Sequence, residues 1–594
     1  MKFAKKLAVL MMGGIMMIAT ACGGTGTTEP KPIDPSKYLP DAEKGYQNAM
    51  GLRYTIADFQ YGTEIPYNRY TNLDAEAPST VKDAYHARYF RDYQPEYNYT
   101  PSASKSELAY GSTSTWSDPA GDNSNYFTIY PAEGGTKDGT VTVDYLTYIR
   151  LDNLSEKPEY TNTLGWSEDM FAQAAEKENV LNLSAYETLT VRMKAERETV
   201  VKLSMRDRVS GKVHDLGAKT LKAGEAADMS YDITGFAERT GIEYFRFEFE
   251  VNLDDNETNR IDFYRIEASA AESLKGEPFS LGGLTVESEY LGNMLYTKWG
   301  AYSASGFYDS EEKKWKVWFG AGIPETVASD NVYYSECEDL TQSWSKPIRV
   351  KLEDHGLLFP PEVGPGYGGD PSVIKVDGTY YMYFSGLATG LDDGRNTHWN
   401  KVYVATSNDG INWTMEPTPV VDAETSGGAG YGAGSPSTVY VDGTFYMYYY
   451  TQTPEVDNLT GFLRKESKDG IHFGDPVLVE TDQGAGDVKY IPSLRKWVMV
   501  YYTVEAGEKT FDQCETVRFA VSDDGILWTK DESVEIKQND FIPSCHNPGF
   551  LGNELGQGYE TMFVTYGAND IPLVFMDGAQ YDARQLEWSR ITLQ

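Results

Sequence analysis

Apolar and polar residues alternate along four short runs in the first half of the chain: LTVRMKA (189–195), VVKLSMRD (200–207), YFRFEFEV (244–251) and RIDFYRIEA (260–268). Each run puts aromatic or aliphatic side chains on one face and charges on the other, which is the pattern of half-buried strands. Two sheets packed face to face would bury that apolar set, so residues 111–272 are read as a β-sandwich. Residues 46–110 are rich in Tyr, Asp and Pro, show no clear period, and receive no fold. At the N-terminus, Lys2, Lys5 and Lys6 precede an apolar run, Leu7 to Ile18, that is too short to span a bilayer. Residues 1–22 therefore read as an export signal, and the Gly-, Thr- and Pro-rich stretch over 23–45 as a flexible tether.

From residue 285 to 594 the pattern repeats. GDPSVIKVDGTYYMYFSG (369–386), GSPSTVYVDGTFYMYYYT (434–451) and GDVKYIPSLRKWVMVYYT (486–503) align without gaps, and looser copies occupy 303–322 and 547–567. A second signature follows them as SNDGINW (407–413), SKDGIHF (467–473) and SDDGILW (522–528), with SECEDLTQSW (335–344) as a degenerate form. Repeats of this length, each with two hairpins, predict the four-stranded blades of a five-bladed β-propeller, whose radial closure protects strand edges. Asp-Gly between two strands predicts a two-residue hairpin turn, and the flanking aromatics would fill the wedges between blades. The fold class expected is all-β, a sandwich followed by a propeller.

The first positions of the five copies are Ser303, Asp370, Ser435, Asp487 and Asn547, with His546 just before the last. Innermost strands line a propeller's channel, so Asp370 and Asp487 are expected at its mouth, where paired carboxylates act on glycosidic bonds. The repeat, the Asp-Pro head and the SNDGINW type of turn resemble the five-bladed propeller glycosidases of family 43 and its relatives. That resemblance implies Asp370 as general base, Ser435 as the small residue at the next head, and Asp487 as the aspartate that tunes the acid. It also implies a Glu two residues before the Pro of "SCHNPGF", where this chain has His546. Two readings follow. Either His546 is the acid, as in the related propeller family that cleaves anhydrogalactose from agar oligosaccharides, or the propeller binds glycans without cleaving them. Ser435 and Asn547 are candidate sugar contacts. His398 and Trp399, in the long segment 386–402, either reach a sugar ring or pack on their own blade; Glu362 and Glu554 are the alternative acids.

The Ser-x-Asp-Gly turns also resemble the Asp-boxes of sialidases, but the spacing differs and no arginine cluster is present to grip a carboxylate. The run from "NLSAYETLTVRMKAE" to "IDFYRIEA" resembles the jelly-roll carbohydrate-binding modules of secreted glycosidases, with Trp116 and Trp166 as stacking or core residues. Ala19, Thr20 and Ala21 before Cys22 resemble a bacterial lipobox, which implies lipidation of Cys22 and anchoring at the cell surface or in the periplasm.

Charge narrows the partners. With 52 Lys+Arg against 89 Asp+Glu the net charge is −37, which disfavours nucleic acid and anionic lipid, so the membrane enters only through the anchor. The expected partner is a carbohydrate substrate. Cys337, Cys514 and Cys545 are odd in number and make no disulfide framework; a Cys514–Cys545 pair is the alternative to the preferred reading as packed thiols. No Cys-x-x-Cys and no Asp-x-Asp-x-Asp loop with a closing Glu occurs; no cofactor is expected, although so acidic a chain leaves room for a structural calcium.

Overall fold

The computed structural model describes residues 45–46, 50–58, 89–92, 108–112, 125–131, 137–147, 181–207, 210–295, 301–322, 330–341, 344–345, 347–352, 366–388, 400–416, 418–422, 432–451, 461–480, 485–502, 516–536, 545–568, 574–576, 579–581 and 585–594. Apart from one short helical piece at 45–46, the regular structure among them is strand. Cys22, Trp116, Trp166, Glu362, His398, Trp399 and Cys514 lie outside the described residues.

The sandwich has the alternation expected. In Thr188–Ala195 every second residue is buried, and the inward residues Leu189, Val191 and Met193 meet Phe245, Phe247 and Phe249 of Ile242–Leu253 in one core. One sheet runs Tyr89–Asp92, Lys137–Leu146, Ile242–Leu253, Thr199–Asp207, Val213–Leu221. In the other, Asn259–Ala270 pairs with Thr188–Ala195 along one side, and with Asn125–Ile129 and Leu52–Asp58 on the other. The sandwich thus begins well before residue 111. Leu52, Tyr54 and Ile56 alternate inward within a stretch too short and too rich in polar neighbours to stand out in sequence.

The C-terminal half forms five radially arranged sheets. Blade 1 holds Tyr302–Asp309, Lys314–Gly322, Asp330–Cys337 and Ile348–Arg349; blade 2 holds Gly366–Val376, Thr379–Ala388, Lys401–Ser407 and Asn412–Met415. Blade 3 holds Ala433–Val441, Thr444–Thr451, Gly461–Ser467 and Val477–Glu480, and blade 4 holds Gly486–Ile491, Lys496–Tyr501, Arg518–Ser522 and Trp528–Lys530. Blade 5 takes His546–Gly552, Thr561–Ala568 and Gln585–Leu593 from the end of the chain and Leu284–Leu295 from ahead of blade 1, so an early strand closes the ring on the last blade. Aromatic wedges fill the gaps, and they also form a regular set of hydrogen bonds. Trp318 of blade 1 donates to the carbonyl of Gly410 in blade 2 at 2.7 Å, Tyr383 of blade 2 to Gly470 at 2.7 Å, and Tyr448 of blade 3 to Gly525 at 3.0 Å. The Ser-x-Asp-Gly turns of blades 2, 3 and 4 are therefore sockets for the aromatic of the blade before each.

The two halves are not joined by a simple linker at 272–285. Leu284–Leu295 also meets the sandwich, with Arg53 opposite Gly292. A Cβ at Gly292 would lie 1.7 Å from the Arg53 carbonyl oxygen, so the approach requires glycine there. Just upstream of that sandwich strand, Tyr46 is fully buried in the propeller. Its hydroxyl donates to the carbonyls of Leu551 (2.7 Å) and Gly552 (2.8 Å), and its ring packs on Trp315, Tyr559 and Phe563 between blades 5 and 1. Cys337 and Cys545 are both buried.

Candidate active site

Four of the five repeat heads share an uncommon backbone. Ser303, Asp370, Ser435 and Asn547 have φ of 52°, 50°, 49° and 42°, in the left-handed region that Asn, Asp and small polar residues tolerate best. Each sits where the pairing with the second strand slips, between Tyr302 and Ser305, Gly369 and Ser372, Gly434 and Ser437, and His546 and Gly549. These bulges free the head residue from the ladder and aim it at the channel. Ser303, Pro371, Ser435, Asp487, Asn547 and Pro548 line one open cavity there; Asp370 is outside that lining, bonded to Ser435 and Asn547 of its wall.

Asp487 is the exception, and strand register explains it. In blades 2 and 3 the hairpin closes at Val376–Thr379 and Val441–Thr444, leaving Asp-Gly as the loop; in blade 4 it closes at Ile491–Lys496, leaving four residues, Pro492 to Arg495. The longer turn takes two residues from the first strand. Asp487 therefore stands opposite Val500 as Ser372 stands opposite Tyr383 and Ser437 opposite Tyr448, two positions below the heads. At that level blades 1 to 4 each accept a backbone N–H from the next. Ser305 Oγ takes Val373 N, Ser372 Oγ takes Thr438 N and Ser437 Oγ takes Val488 N, each at 2.9 Å, and Asp487 Oδ2 takes Phe550 N at 2.7 Å. Lys489 Nζ lies 2.8 Å from both oxygens of Asp487, and the two side chains are 6% and 15% exposed. The gapless repeat alignment made Asp487 a head that tunes an acid. The geometry sets it two positions below the heads, gives it a blade-joining bond and a cation of its own, and keeps it in the wall of the same cavity.

Asp370 is the carboxylate at the heads. It is 8% exposed, and three side chains from three blades donate to it: Ser385 to Oδ2 at 2.9 Å, Ser435 to Oδ2 at 3.3 Å and Asn547 to Oδ1 at 2.5 Å. Ser385 Oγ itself accepts Ser435 N at 2.8 Å, which leaves its proton for Asp370. Blade 1 lies between blades 5 and 2, so the Asn547–Asp370 bond crosses the channel. Ser435 and Asn547, expected to touch sugar, both hold Asp370. Ser385 was not singled out from sequence, although the signal was present. The equivalent residue is Tyr450 in blade 3 and Tyr502 in blade 4, so a small hydroxyl stands there only in the repeat with Asp-Pro at its head.

His546 begins the innermost strand of blade 5, opposite Gly567; its half-buried ring lies edge-on to Tyr302 with centroids 5.1 Å apart. Asn547, not His546, is in the cavity wall. Glu554 is excluded from the site. Its backbone carbonyl accepts Lys375 N, five residues along the strand from Asp370 and so about 17 Å away at roughly 3.3 Å per residue. Burial pushes its carboxyl upward against two hydrogen bonds from Ser310. Among the described residues no group of three His, Cys, Asp or Glu gathers to hold a metal ion.

Residues 359–500, which include Asp370, match the family model of glycosyl hydrolases family 43. On that match the protein is a glycosidase. The matched span takes in blades 2 and 3 and the start of blade 4. No curated protein matches the chain significantly. Similar solved structures include the catalytic domain of a family 62 α-L-arabinofuranosidase from Coprinopsis cinerea, at 14% identity over 51% of this chain and 95% of that one, TM-score 0.36. A family 117 glycoside hydrolase from Zobellia galactanivorans matches at 12% identity over 52% and 90%, TM-score 0.36. A family 43 enzyme from Xanthomonas citri complexed with xylotriose matches at 11% over 50% and 88%, TM-score 0.34. At these scores the likenesses carry no argument; the propeller rests on the sheet order described above.

Proposed function

We propose that the protein cleaves a glycosidic bond at the channel mouth, with Asp370 as general base and His546 as general acid. The observation that carries this is a single carboxylate held by donors from three blades at the level where four repeat heads converge. In the reaction a water gives its proton to Asp370 and its oxygen bonds to the anomeric carbon. The bond from that carbon to the leaving oxygen breaks, and the leaving oxygen takes a proton from the His546 imidazolium, so one water is consumed per bond. His546→Ala tests the acid. An aryl glycoside with a good leaving group needs little protonation, so the variant should keep more activity on it than on a natural glycan. Equal loss on both places the acid elsewhere.

A second reading has its own support. With Asp487 paired to Lys489, the site offers one carboxylate at the heads among the described residues, as a glycan-binding protein without turnover would. Release of reducing sugar from a panel of plant and algal glycans separates the two. We also propose export as a lipoprotein through Cys22, with the sandwich as a carbohydrate-binding module. Cys22→Ser should leave the protein exported but absent from the detergent phase, and unchanged partition contradicts the anchor.

A further inference from the structure

We propose that Asn547 is a positioning residue that holds the attacking water against Asp370, an inference that rests on the hydrolytic reading above. Its amide is oriented without ambiguity. Nδ2 donates to Asp370 Oδ1, and the flipped amide would set two acceptors face to face. The side chain is 7% exposed, and its Oδ1 is buried with no hydrogen-bond partner. Leaving a buried amide oxygen bare is costly, so a donor is needed there. The cavity that Asn547 lines has room for about one ordered water. A water donating one hydrogen to Asn547 Oδ1 and the other to Asp370 is already placed to lose that second proton to the base. Pro548 and the left-handed backbone at Asn547 fix the direction of the amide, so the water's place is set before a sugar arrives.

The role differs from that of a sugar contact in its readouts. Asn547→Gly accepts the left-handed backbone and removes the amide; kcat should fall about 10- to 100-fold with KM within about twofold. Asn547→Asp sets a second carboxylate against Asp370. Two such groups cannot both ionise freely, so the acidic limb of kcat/KM against pH should move up by about one unit or more. A rise in KM with kcat retained would show that the amide holds a sugar hydroxyl, and an unmoved limb would show a purely structural part; either overturns the proposal. A crystal structure of the ligand-free protein supplies a test without turnover. A water within hydrogen-bond distance of both Asn547 Oδ1 and Asp370 is expected, and a protein donor or an empty position there refutes it. A wild type that hydrolyses no glycan sinks the hydrolytic reading itself, whereas an active wild type matched by Asn547→Gly sinks only this inference.

Discussion

Replacing Asp487 with Asn keeps the shape of the side chain and removes the charge that Lys489 faces. In the native protein the ammonium lies 2.8 Å from both carboxylate oxygens and is 6% exposed. Breaking one side of a buried ion pair costs about 3–5 kcal/mol, because the surviving charge is left without compensation. Some of this is recovered, since Lys489 Nζ also reaches the Val488 carbonyl at 3.3 Å and Asn can still accept Phe550 N. A net loss of about 2–4 kcal/mol remains, or about 5–10 °C in Tm at a few degrees per kcal/mol for a domain of this size. Calorimetry on the full chain measures it, and Asp487→Asn combined with Lys489→Met should recover much of the loss. The pH–rate profile of the active variant should keep its limbs where they were. Unchanged stability together with a shifted limb would refute this reasoning and return Asp487 to the role of tuning an acid.

Tyr46→Phe should destabilise by about 1–2 kcal/mol through two carbonyls that lose their donor, and Tyr46→Ala by about 3–5 kcal/mol through the space left among Trp315, Tyr559 and Phe563, both read as Tm. A fragment from residue 285 lacks Tyr46 and the Leu52–Asp58 strand, so it should melt below the full chain; equal melting contradicts a stabilising role for Tyr46 and that strand. Asp309 gives a pH dependence. Burial alone would raise its carboxyl, but the Tyr380 hydroxyl, the Glu312 N–H, Lys316 and Lys375 outweigh that and hold it at about 2. Because its folded value is depressed, its stabilisation is present above the ordinary range near 3.9 and is lost as the pH falls toward 2. Asp309→Asn should therefore melt lower than wild type at neutral pH, with the gap closing by about pH 2; a constant gap refutes the assignment.

What was legible in the sequence is the part written locally. Alternation in LTVRMKA and YFRFEFEV gave the sandwich strands, and Asp377-Gly378 and Asp442-Gly443 gave two-residue turns with both residues at positive φ, as that turn type requires. The heads Ser303, Asp370, Ser435 and Asn547 share one conformation because one bulge recurs in four repeats. Asp487 is displaced from the head level because sequence alignment counts residues whereas strands count pairs; "PSLR" lengthens the turn without lengthening the repeat. Tyr46 and Leu52–Asp58 were missed because their partners, Leu551 and Ala270 among them, lie hundreds of residues away, and a lone short strand carries no period of its own. Ser385 was missed because a serine ending an aromatic strand looks unremarkable until the blades are superposed.

The central claim is that Asp370 is the base of a glycosidase. The direct measurement is reducing-sugar release from one responsive glycan by wild type and by Asp370→Asn, with matched melting curves as the control on folding. The account expects kcat to fall by roughly two to four orders of magnitude with KM little changed. Turnover by Asp370→Asn at the wild-type rate, with the fold intact, would contradict it.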